Sequence, residues 1–166
     1  MTPKAKLLLA FGASAALIGT ALAAPVAEGG QKFSMVLTDE AERPTSGDPN
    51  ASGTANIIIN PGQARVCWEI TTAGVDPGYS VAAGSGAHIH RGNVTVAGPI
   101  VVHLALTLNG TNTGCVDVPR ALIEEIRKNP AEFYVNVHWS DQTAPITLTN
   151  YAAGGLRAQL RKNQLM

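Results

Sequence analysis

Runs of β-branched and apolar residues, each about the length of a strand, recur along this chain between polar, glycine- and proline-bearing segments. Lys32 to Thr38 is the first, and the polar stretch from Glu40 to Ser52 ends it as a loop. Gly53 to Asn60 and Ala64 to Thr72 follow, joined by Pro61-Gly62-Gln63, and so short a connection predicts a hairpin. Cys67 and Trp68 take opposite faces of its second arm, because side chains alternate along a strand. After a turn-rich segment, Ala73 to Gly84, come a strand over Gly86 to Gly92, a turn at Gly92-Asn93 and a strand from Ile100 to Leu108. Asn109-Gly110 and Thr113-Gly114 lead into Cys115 to Val118. Pro119 to Asn129 breaks the pattern and predicts a helix: Pro119 suits a first turn, Ala121, Leu122, Glu124, Glu125 and Ile126 are compatible with its body, and Pro130 stops it. The chain closes with a strand from Tyr134 to Trp139, a long loop from Ser140 to Gly154 and a last strand from Gly155 to Leu160.

Several short strands with hairpin turns and one short helix near 119–129 predict an all-β Greek-key β-sandwich or flattened barrel. Composition agrees, since charge is sparse while glycine, proline, valine, isoleucine and threonine are plentiful. The formal net charge is zero and the lysines and arginines are scattered, which argues against a nucleic-acid partner. At the start, Lys4 and Lys6 precede an uncharged run from Leu7 to Leu22 that exits through Ala21-Leu22-Ala23, the pattern of a cleaved export signal. The run is shorter than the roughly 20 residues a spanning helix needs. The expected organisation is therefore a signal peptide over 1–23, a flexible leader over 24–31 and one domain over 32–162, exported to the periplasm or secreted, with no transmembrane anchor after cleavage. In an oxidising compartment Cys67 and Cys115 are expected to form a disulfide, and the chain-entropy model assigns such a loop roughly 4 kcal/mol. The two lack the C-x-x-C spacing of a redox or thiolate metal pair.

All four histidines fall on predicted strands. His88-Ile89-His90 places two imidazoles on one strand face roughly 6.6 Å apart, close enough to converge on one ion. Ile89 between them is the core residue. His138 shares a face with Asn136 and Tyr134, opposite Val135 and Val137. His88, His90 and His138 are thus candidate ligands for copper, with zinc as substitute, and the absence of paired carboxylates nearby argues against calcium. His103 is a weaker candidate. The competing reading is structural, with the histidines hydrogen-bonding across strands and holding a loop. Arg91 and Arg157 are candidate anion or substrate guides at the mouth of such a site, or surface partners of Asp117 or Glu132. Of the two tryptophans, Trp139, beside His138 and a polar loop, is the one expected to be exposed. No nucleophile elbow, zinc-protease helix or phosphate loop occurs, so a binding module is favoured over an enzyme.

The segments Gly86-Ala87-His88-Ile89-His90-Arg91-Gly92, Gly98-Pro99-Ile100-Val101-Val102, Asn129-Pro130-Ala131-Glu132-Phe133-Tyr134-Val135-Asn136-Val137-His138 and Gly155-Leu156-Arg157-Ala158-Gln159-Leu160 closely resemble the CHRD domain, the chordin-type module. The resemblance covers about Phe33 to Leu160 and departs from the family pattern in the longer Ser140 to Gly154 loop and in Ala158, where glycine is more usual. It implies an exported all-β module. The His-x-His strand and the Gly154-Gly155-Leu156-Arg157 end are also similar in arrangement to copper/zinc superoxide dismutase, so the sandwich is expected to be superoxide dismutase-like or immunoglobulin-like; the bridging histidine and aspartate-rich zinc loop of that enzyme are missing. The expectation is an exported CHRD-type binding module with a three-histidine copper or zinc site. The alternatives are a module that contacts an extracellular protein or matrix partner through the Ser140 to Gly154 loop and, ranked lower, copper-dependent redox activity.

Overall fold

The computed structural model describes residues 30–75, 79–81, 86–141 and 151–162; the expected signal and its cleavage site lie outside them. The described elements are β1 (Gln31–Leu37), β2 (Ser52–Asn60), β3 (Arg65–Ala73), β4 (Tyr79–Val81), β5 (Gly86–Arg91), β6 (Ile100–Ala105), β7 (Thr111–Asp117), α1 (Arg120–Lys128), a 3-10 turn (Pro130–Glu132), β8 (Phe133–Asp141) and β9 (Tyr151–Gln159). β1, β2, β3 and β7 form one antiparallel sheet in that order. In the other, β8 lies between β5 and β9, β6 lies outside β5, and β4 pairs with the far end of β8. The two sheets form a sandwich rather than a closed barrel, and one isolated bridge, Thr38 to Arg157, joins them at a corner.

Period-two alternation builds the core. Phe33, Met35 and Leu37 of β1, Ile57 and Ile59 of β2, and Val66 and Ile70 of β3 face Ile89, Leu104, Val135, Val137 and Leu156 of the second sheet, and all are buried. Burying an isoleucine, valine or phenylalanine side chain contributes roughly 1.5–3 kcal/mol each. The helix lays Ile123 and Ile126 on this core. Its start follows Pro119, which has no amide hydrogen to leave unpaired, and Arg127 and Lys128 complement the negative end of its dipole. Cys67 and Cys115 sit opposite each other on β3 and β7 and are joined by a disulfide. Among the described residues no helix is long and apolar enough to cross a membrane.

The structure corrects sequence expectations at several places: the turn-rich stretch contains β4, and Thr113-Gly114 lies within β7 instead of leading into it. The Ser140 to Gly154 segment is not all loop: β8 runs on to Asp141 and β9 begins at Tyr151, leaving 142–150 outside the described residues. Alanines and glycines are poor strand formers, and pairing with β8 overrides that weakness. The strand from Ile100 stops at Ala105 rather than Leu108. Trp139 is fully buried, packed over Gly155, whereas Trp68 is the partly exposed one.

In the second sheet β5, β8 and the adjoining part of β9 are covered on both faces, while the outer face of β6 is open. The covered outer face lies under two segments of irregular chain, 38–50 and 92–99. The first is pinned by Asp48 N donating to the Gly155 carbonyl and by paired bonds between Thr38 and Arg157. Contact is close enough that a Cβ at Gly47 would overlap the Gly155 carbonyl oxygen, so glycine is required there. The second is pinned by Arg91 N to the Pro99 carbonyl and Gly92 N to the Glu132 carbonyl.

Candidate metal centre

His88 and His90 extend outward from β5 on either side of inward-facing Ile89, and β8 supplies the third imidazole. The β5–β8 register pairs His88 with Asn136 and His90 with Tyr134, so His138, two residues beyond Asn136, joins them on the same face. Ring centroids are 5.0 Å apart for His88–His138, 5.6 Å for His88–His90 and 5.7 Å for His90–His138. One nitrogen from each lies within 4.8 Å of the others. Nitrogens sharing an ion at about 2.0–2.1 Å stand roughly 3.3–3.5 Å apart, so small side-chain rotations close the set. The three residues are only 5%, 7% and 7% exposed.

The tautomer of His90 is fixed. Its Nδ1 lies 2.8 Å from the Gly98 carbonyl, which can only accept, so Nδ1 carries the hydrogen and Nε2 carries the lone pair. That Nε2 is buried without a hydrogen-bond partner, as is Nδ1 of His88. An orphaned buried polar atom costs about 1–3 kcal/mol, and a bound ion would remove the cost. Burial, then the neighbouring His138, His90 and His103, pushes His88 down to about 3. Burial also lowers His90, and the Gly98 hydrogen bond opposes that shift. Both rings are therefore neutral near pH 7, the form that ligates metals. Tyr134 stacks on His90 with centroids 4.8 Å apart and planes 11° from parallel, and its hydroxyl accepts from Gly98 N at 2.9 Å. A Cβ at Gly98 would overlap the Arg91 carbonyl, so the turn that aims this carbonyl at His90 depends on glycine.

Residues 33–145, well over half of the chain, match the family model of the CHRD domain. The chain belongs to the CHRD family. Comparison with curated proteins and with solved structures gives no significant match. The CHRD match takes in all three clustered histidines and both cysteines and ends before β9, so Arg157 lies beyond it.

Around this cluster of histidines the other singled-out residues take different places. His103 pairs with His88 on β6 with its ring 5.0 Å away, but it is exposed and outside the three-residue group. Arg91 is half-exposed and pairs with Glu125 at 2.6 Å, not with Asp117 or Glu132; Asp117 is taken by Arg65. Arg157 is not at a surface mouth. It is 2% exposed, lies 3.4 Å over the Tyr134 ring, and donates to the carbonyls of Asn93 and Val96. These bonds tie the 92–99 segment to β9. Sequence reasoning missed Glu42 altogether. This buried carboxyl accepts from Asn136 Nδ2 at 3.2 Å, and burial pushes it up to about 8 against the lowering effect of Arg157. Its only signal in the sequence was an acid in a loop, which ordinarily means solvent.

Proposed function

We propose that this CHRD domain is an exported binding module that holds one copper ion, with zinc as substitute, on His88, His90 and His138. Family membership supports the binding role. The observation that carries the metal reading is the convergence of three buried imidazoles, two of them neutral with a buried nitrogen left unpartnered. Imidazole suits both ions, and copper binds tighter than zinc to a given nitrogen site. The Cys67–Cys115 disulfide and the Lys4-to-Ala23 pattern support export.

The test is elemental analysis of the disulfide-formed protein, purified without a His tag and incubated with copper and with zinc, beside a His88→Ala/His90→Ala/His138→Ala variant. Near-stoichiometric copper in the parent, lost in the variant, is expected. No metal in the parent, or equal metal in both, overturns the reading. N-terminal sequencing of the protein recovered after export is expected to begin at Ala24.

A further inference from the structure

A buried positive charge stands beside the candidate centre. His90 on β5 and Arg157 on β9 flank β8 from opposite sides, and the Tyr134 ring between them stacks on the imidazole and receives the guanidinium on its other side. Arginine stays charged in proteins. Its acceptors are the neutral carbonyls of Asn93 and Val96 and, at 3.5 Å, the Gln159 amide oxygen, so the hydrogen bonds that hold it in place do not cancel its charge. The acid that acts on it, Glu42, is buried and held largely protonated at neutral pH.

We propose that the three-histidine centre takes copper as Cu(I) in preference to Cu(II), because its ligands are all neutral and the buried Arg157 guanidinium penalises each added unit of charge on the ion. The inference rests on the metal reading above. Ligand type does not discriminate, since imidazole accepts both oxidation states, whereas charge does. An acid-containing ligand set would offset the second charge of Cu(II), and this group holds only histidines. With the guanidinium 3.4 Å from the Tyr134 ring, His90 stacked 4.8 Å away on the other side and all three buried, a second charge held by the histidines would be expected to cost tenfold or more in relative affinity.

The test uses the intact, disulfide-formed protein and measures its affinity for Cu(I) under anaerobic conditions against bicinchoninate, and for Cu(II) against nitrilotriacetate. Arg157→Gln is expected to shift the Cu(I)-to-Cu(II) affinity ratio at least tenfold toward Cu(II), while Arg157→Lys keeps it within about threefold of the parent. A folded Arg157→Gln protein with an unchanged ratio overturns the proposal. Should that variant not fold, the parent suffices: the midpoint potential of its bound copper must lie above that of copper in excess free imidazole in the same buffer, and an equal or lower value overturns the proposal. Copper bound with an unmoved ratio defeats this inference alone, whereas no copper bound in either state defeats the metal reading itself.

Discussion

Phe133, Val135 and Val137 point from β8 into the space between the sheets, whereas Tyr134, Asn136 and His138 point outward beneath the 38–50 and 92–99 segments, and both sets are buried. The inner set is apolar and needs only to fill volume. The outer set brings polar atoms that must each find a partner, and irregular chain supplies partners less completely than a neighbouring strand does. Among the described residues, buried atoms without a partner gather accordingly on the outer side, as Glu42 Oε1, Asn136 Oδ1, His88 Nδ1 and His90 Nε2 do, while the Trp139 indole nitrogen lies on the inner side. One face of a sheet can thus be optimised for stability while the other gives up some of it for chemistry. The division follows directly from the alternation of a strand buried on both sides.

The comparison is broken most severely from inside. Ile89→Ala leaves the flanking histidines in place but opens a cavity between the sheets, and a loss of 2–5 kcal/mol in urea-monitored unfolding is expected; a loss under about 1 kcal/mol would show that Ile89 is not a core residue.

The outer layer is sharpened by pH. Glu42 keeps its proton up to about 8 in the folded chain, against a usual 4.5, so the native state binds a proton that the unfolded chain has released. Stability from this group is complete below pH 4.5 and lost as pH rises toward 8. His88 works in the other direction. Held to about 3 against a usual 6.5, it stays neutral where the unfolded chain takes up a proton, so stability is lost as pH falls from 6.5 toward 3. The unfolding free energy of the metal-free protein is expected to be greatest between about pH 4.5 and 6.5 and to decline by a few kcal/mol on either side. Glu42→Gln should abolish the alkaline decline, and matching alkaline limbs in the two proteins would refute the assignment.

The smallest effect belongs to the rim. Arg91 and Glu125 are both half-exposed, so Arg91→Ala should change stability by less than about 1 kcal/mol and leave metal stoichiometry unaltered, as thermal melts and elemental analysis would show.

Alternation made the strands, the helix and the His88–His90–His138 grouping legible, because all of these depend on period and on local punctuation. It also put Trp139 in line with Val135 and Val137, on the inner face; the neighbouring polar residues pointed wrongly to exposure, since they describe the chain after the strand and not the sheet that covers it. What the pattern could not reveal was the second covering. Glu42 is buried by Asn136 and β9, and Arg157 by Tyr134 and the 92–99 carbonyls, contacts that join residues far apart in sequence and leave no local periodicity. The same gap hid the environment of the histidines, whose face reads as solvent-facing until the two segments are laid over it.

The Cys67–Cys115 bond has a mechanical meaning as well. Two cysteines 48 positions apart are locked across β3 and β7, and the covalent loop between them contains β5 with His88 and His90, while His138 lies outside it. Tension applied to the two ends of the chain passes through the sulfur bridge and bypasses that loop. A pulled molecule would therefore yield its extra length from outside the bridge while the strand bearing two of the three histidines stays slack, and only reduction would release the stored length.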